Sequence, residues 1–201
     1  MSTRRDDILD AARDLIVREG YASVSMHAIA RAAGITRPAL YAEFGDRDEL
    51  FEALLDREDQ RVQQMAAAAT PVLPEGVDLA AMAASIAVDA VDIYLGLVVA
   101  APETWRFVLM PGDGLPQEVR ERVDRTRNAI RERSQAMIAV MGALSEKDID
   151  SELLSHAVIS ASETGARIVL ADGGSERHET VAKTLRWVAH RAVTAVEARE
   201  T

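Results

Sequence analysis

Not one cysteine occurs among the 201 residues, which excludes a disulfide framework, a thiolate metal site and a cysteine nucleophile. Aromatic residues are scarce at 4%, and lysine is nearly missing, with two residues against 21 arginines. The excess of arginine and alanine reads as genomic base bias and carries little weight. Positive charge is short as well: 23 basic against 33 acidic residues leave a net charge of -10. An acidic protein starts as a poor binder of polyanions. Long apolar runs are lacking. Asp89 and Asp92 interrupt the most apolar stretch, Leu79 to Ala101, so no charge-free run approaches the ~20 residues that span a bilayer. The polar stretch Met1 to Asp10 has no apolar centre, so no secretory signal is expected. A cytoplasmic protein without membrane contact is the reading.

Catalytic signatures are equally sparse. His27, His156, His178 and His190 show no His-x-x-x-His or Glu-x-x-His spacing, so no metal is expected. There is no phosphate-cradling glycine loop and no Gly-x-Ser-x-Gly elbow. Neither an enzyme nor a cofactor is expected, although acid-base groups assembled through space would leave no such trace.

What is present is helical periodicity almost throughout, with no convincing alternation. Glycine and proline divide the chain into about nine helices: 3–19, 26–33, 37–43, 47–69, 77–100, 103–110, 116–142, 148–171 and 176–198. The reading is all-α, with a three-helix head over residues 1–47 and a larger helical body over 48–201.

The head carries the sharpest chemistry. Ser25 suits an N-cap, followed by the apolar stripe Met26, Ile29, Ala30 and Ala33. Gly34 can take the left-handed conformation that ends one helix, and Ile35 plugs the turn. Thr36 caps the next helix, with Pro38 in its first turn, where a missing amide costs little. Two short helices joined by such a turn make a helix-turn-helix, whose second helix enters the major groove of double-stranded DNA. Its leading residues are Thr36, Arg37, Pro38 and Ala39, with Tyr41 one turn on. Arg37 can pair bidentately with guanine, and Thr36 or the Ala39 methyl can meet a thymine methyl. Tyr41, Ser25 and Arg47 suit phosphates. Arg4 and Arg5, at the leading edge of the first helix, offer a basic arm. Any three-helix packing unit can contain a Gly-Ile-Thr turn, so spacing alone leaves a purely structural role open.

From Ile8 to Phe51 the chain resembles the TetR family of bacterial transcription regulators. The matching elements are Ile8-Leu9-Asp10-Ala11-Ala12, Glu19-Gly20-Tyr21, Ser25-Met26, Ile29-Ala30, Ala33-Gly34-Ile35, Leu40-Tyr41, Phe44 and Arg47-Asp48-Glu49-Leu50. The sequence departs from the family pattern at Arg47, usually lysine, and at Glu43, where a carboxylate would repel phosphates. The resemblance implies a body that binds a small effector and forms a homodimer. Its dimer face would comprise Leu154, Ala157, Val158, Ala161 and Ile168 on one helix, with Leu153 beside them. Val181, Leu185, Val188 and Ala192 would supply the other, with Trp187 alongside. Ordinary intrachain core explains the same pattern. The effector chamber would draw on Tyr94, Trp105, Phe107, Met110, Met137 and Met141, which suit a largely apolar ligand but also suit a core. Glu163 and Arg167 read as an ion pair.

The expected function is a ligand-responsive repressor that binds a pseudo-palindromic operator and is released by its effector. Two alternatives stay open: a helical sensor or interaction protein with little DNA affinity, and an all-α enzyme. Charge distribution favours the DNA-binding repressor over both alternatives. Residues 1–47 hold seven arginines and seven acidic residues, whereas 48–201 hold 16 basic and 26 acidic residues and so carry the whole deficit.

Overall fold

The computed structural model describes residues 4–68, 79–109, 116–117, 119–125, 128–129, 132, 135, 150–171 and 174–194. The described residues contain no strand, in agreement with the all-α reading. The head holds α1 (Arg4–Glu19), a 3-10 turn (Tyr21–Ser23), α2 (Met26–Ala32) and α3 (Arg37–Glu43). Next come α4 (Arg47–Ala68), α5 (Leu79–Ala100) and α6 (Pro102–Leu109). The helix expected over 116–142 is described as a continuous run only at 119–125, here α7. The chain ends in α8 (Ser151–Leu170), a 3-10 turn (Gly174–Arg177) and α9 (His178–Thr194). No single helix among the described residues is long and apolar enough to cross a membrane.

The helices pack into two compact units. The first comprises Met1–Met65 with Ala101–Asp124, the second Ala66–Ala100 with Arg125–Thr201. Packing therefore does not divide at residue 47, the expected boundary. The reason lies on α4, where Leu50, Phe51, Leu54 and Val62 are buried, so most of that helix belongs to the head's core. In α1, Ile8, Ala12, Leu15 and Ile16 recur at helical spacing and are buried, as are Ile29 of α2, Leu40 of α3 and Phe44. Helix α6 joins this unit by packing on α1, and it buries Trp105, Phe107 and Val108. Arg122 of α7 pairs with Asp56 of α4.

In the second unit α5 packs on both α8 and α9, which also pack on each other. Val91, Leu95, Val169, Val181, Ala182 and Leu185 form its buried cluster. Gly165 lets α8 and α9 approach closely, since a Cβ there would lie 2.7 Å from Leu185 Cδ1. Asp150 caps α8 by accepting from the Leu153 amide at 2.9 Å. Arg186 bridges Asp92 of α5 at 3.0 Å and Glu179 at 2.7 Å, and Arg167 pairs with Glu163 at 2.9 Å as expected.

Candidate nucleic-acid interface

Local signals build the helix-turn-helix residue by residue. Ser25 Oγ accepts from the Ala28 amide at 3.2 Å and starts α2. Gly34 then takes φ 66°. Its amide donates to Arg31 O at 3.2 Å, and the Ile35 amide donates to Ala30 O at 3.0 Å. That pair of bonds is a Schellman closure, which wants glycine at this position. A Cβ at Gly34 would meet nothing within 4 Å, so the backbone conformation alone imposes the choice. Thr36 Oγ1 accepts from the Ala39 amide at 3.4 Å and starts α3, with Pro38 in its first turn.

This frame leaves Ser25, Thr36, Arg37, Pro38 and Tyr41 exposed and Ala39 half-buried. Leu40, between the exposed residues, is fully buried, so α3 shows one face outward and anchors the other. Ser25 and Thr36 use their hydroxyl oxygens as cap acceptors, and each keeps its proton to donate outward. Capping and phosphate contact are therefore compatible at both positions.

Arg47 is placed differently from the expectation of an outward phosphate contact. It is half-buried; its Nη2 donates to Tyr21 O at 2.8 Å and its Nε to Val24 O at 3.2 Å. The guanidinium also lies 4.8 Å from the Tyr21 ring centroid and 4.7 Å from that of Phe51. Arg47 thereby clamps the start of α4 to the connection between α1 and α2. Arg47→Ala is expected to lower unfolding free energy by about 2–4 kcal/mol, from lost charge-assisted hydrogen bonds and cation-π contacts. Urea denaturation measures this; an unchanged midpoint with a flatter salt dependence of DNA binding would restore the phosphate role.

The basic arm is also corrected. Arg4 and Arg5 lie inside α1, which begins at Arg4, because Asp6 and Asp7 in its first turn favour a helix start there. Arg5 Nη1 donates to Glu43 O at 3.0 Å. Glu43 is half-buried.

Sequence reasoning missed a buried ionic cluster in the first unit. Glu58 of α4 is 1% exposed. Its Oε1 accepts from Arg57 Nη2 at 2.7 Å and Arg61 Nη1 at 3.2 Å, while its Oε2 accepts from Thr104 Oγ1 of α6 at 2.6 Å. Asp10 of α1 pairs with Arg13 and Arg57, both at 2.9 Å. Burial pulls the Arg13 guanidinium down, but its hydrogen bond to Asp14 and the charges of Asp14, Glu58 and Asp10 outweigh that and raise it.

The expected effector and dimer residues are spread over both units. Trp105 and Phe107 are buried on α6 in the first unit. Tyr94 packs half-buried on the core cluster of the second. Met110, Met137 and Met141 lie outside the described residues. On the expected dimer face, Val181 and Leu185 are buried within the chain, and Ala161 and Ile168 pack on the same cluster. These four serve the intrachain core. Leu154 is half-buried, and Ala157, Val158 and Val188 are exposed; the side chain of Ala192 lies outside the described residues. Leu153 and Trp187 are exposed beside them, at 67% and 62%.

Residues 8–54 match the family model described as bacterial regulatory proteins, tetR family. Residues 85–195 match that of a tetracyclin repressor-like C-terminal domain. Curated relatives match over part of their length. The HTH-type transcriptional regulator AlkX of Mycobacterium tuberculosis is 46% identical over 48 residues, 24% of this chain and 23% of that protein. The HTH-type transcriptional repressor ComR of Escherichia coli is 43% identical over 53 residues, 26% of this chain and 25% of that protein. The aligned stretch thus spans about a quarter of those relatives' length. The solved structure of a TetR-like transcriptional regulator from Rhodococcus sp. RHA1 superposes over 96% of this chain and 97% of that one, with TM-score 0.69 and 28% identity.

Proposed function

This chain belongs to the TetR family of bacterial transcription regulators, and we propose on that premise that it is a homodimeric repressor released from its operator by a small effector. It is a DNA-binding regulator with a helix-turn-helix and not an enzyme. The observation that carries the proposal is the outward face of α3, on which Arg37 and Tyr41 stand exposed over a buried Leu40. One such helix touches few bases, whereas a twofold pair reads two half-sites whose centres lie roughly 34–36 Å apart or a multiple of that. The exposed apolar residues Ala157, Val158 and Val188 of α8 and α9 support the pairing. We assign the effector a largely apolar character, from the aromatic and methionine residues that the sequence holds between Tyr94 and Met141. It releases DNA only in so far as it binds one conformation more tightly than the other. Work on chromosomal DNA places the protein in the cytoplasm.

Selection of bound DNA from a random pool, followed by footprinting at low salt, tests the proposal. A pseudo-palindromic site is the expected result, and the absence of sequence-specific binding would sink it. Within that site, Arg37→Ala should cost about 1–3 kcal/mol and relax the preference at one base pair per half-site. An equal loss for every sequence would reassign Arg37 to the phosphates.

A further inference from the structure

We infer that Arg5 is a positioning residue for the recognition helix: it fixes the C-terminal end of α3 and so aims Arg37 and Tyr41. Helix α3 has 7 residues, far below the length at which a helix is stable alone, so its orientation must be imposed from outside. Its N-terminal end is held by the Gly34 turn and the Thr36 cap. At the other end the chain leaves at Phe44 in extended conformation, and the last carbonyls of a helix need partners. Arg5 Nη1 donates to the carbonyl of Glu43, the final residue of α3, at 3.0 Å. The same guanidinium lies 4.1 Å from the ring centroid of Phe44, which is fully buried.

One cation thus contributes three interactions at the end of α3: a charge-assisted hydrogen bond, a cation-π contact and a positive charge where the helix dipole is negative. The link spans 38 residues of sequence and ties the first turn of α1 to the recognition helix. Thr36 bonds back onto its own helix, and Leu40 faces the core, so the Arg5 bond reaches α3 from a different helix and at its other end. Without Arg5, α3 keeps its fold-determining core residues but loses the restraint on its outer end. The DNA-reading side chains then sample a wider range of angles, and specificity falls before stability does.

This inference rests on the DNA-binding reading, and the test separates the two. Operator and non-specific duplex affinities are measured for wild type, Arg5→Ala, Arg5→Lys, Arg37→Ala and the double variant, each across a salt series, with a thermal melt for each protein. The expected result is a fall of about tenfold in the ratio of operator to non-specific affinity for Arg5→Ala. Its salt slope should be unchanged, and Arg37→Ala should cost less in the Arg5→Ala background than alone. Arg5→Lys keeps the charge and should recover part of the ratio. Equal loss on both duplexes, with a slope flatter by about one unit, would make Arg5 a phosphate contact and overturn the inference. A lowered melting temperature with an unchanged ratio would overturn it as well, leaving Arg5 a stability residue. If wild type itself shows no operator preference, the DNA-binding reading fails first.

Discussion

Replacing Glu58 by alanine is expected to remove about 3–5 kcal/mol of unfolding free energy, the cost of leaving buried charges without their counter-charge. Glu58 is 1% exposed and accepts from Arg57, Arg61 and Thr104. Arg13 lies 3.8 Å away, and the side chains of Arg13 and Arg57 are only 11% and 12% exposed. Take the carboxylate away and three guanidiniums remain around Asp10, which is 40% exposed and better hydrated. The Thr104 hydroxyl, buried on α6, also loses its acceptor. Glu58→Gln keeps the shape and an acceptor for Thr104 but drops the charge, so it should fall between wild type and Glu58→Ala. Thr104→Val removes only the hydroxyl bond and should cost about 1 kcal/mol. Urea denaturation monitored by helical circular dichroism gives all three values. A Glu58→Ala loss under 1 kcal/mol would show that the surrounding arginines find water instead. The cluster joins α1, α4 and α6, so a large loss also explains why the compact unit of the head extends past the helix-turn-helix.

Sequence alone made that helix-turn-helix legible because each of its signals is local. Ser25 and Thr36 each accept from the amide three residues on, Gly34 sits in a turn closed by neighbouring amides, and Pro38 stands in the first turn of its helix, so their spacing states their job. The Glu58 cluster was hidden for the opposite reason. Arg57, Glu58 and Arg61 look like surface charges of an amphipathic helix, and only the fold brings Asp10 and Thr104 to them. Arg47 was misplaced on similar grounds: its charge was visible, but the carbonyls of Tyr21 and Val24 that receive it were not. The apolar stripes of α8 and α9 were legible as stripes but not as to what covers them. On α9 the buried set comprises Val181, Ala182 and Leu185, with Ala189 packed beside it, and is centred between Ala182 and Leu185. At 3.6 residues per turn this set is rotated from the line through Val181, Leu185 and Val188, which puts Val188 at its exposed edge. On α8 one stripe is covered at Gly165 and Val169 and open at Val158.

That open end of the stripe is where the second large effect is expected. Val158→Glu should turn a dimer into a monomer and lower operator affinity by about 10²–10⁴-fold, since the two half-sites would no longer be engaged by one linked particle. The substitution suits the purpose because Val158 is 37% exposed in the single chain. A surface position of that kind costs the folded monomer little, whereas a carboxylate buried without a partner between two chains costs several kcal/mol. Sedimentation gives the mass and a thermal melt confirms the fold. Trp187, 62% exposed beside Val188, offers an independent reading. Its fluorescence should shift to the blue with rising concentration in wild type, as apolar surface closes over it, and stay fixed in Val158→Glu. Trp105 is buried in the single chain and supplies a constant background. If Val158→Glu keeps the wild-type mass and affinity, the chains pair elsewhere. If it becomes a monomer yet retains affinity, a single α3 reads the site alone and the two-half-site reading is wrong. The charge distribution argues against that last outcome. With seven arginines balanced by seven acids over residues 1–47, and Arg5, Arg13 and Arg47 among them bound within the head, one head has too little positive field to hold DNA on electrostatics alone. Doubling the contacts through a dimer is the available remedy.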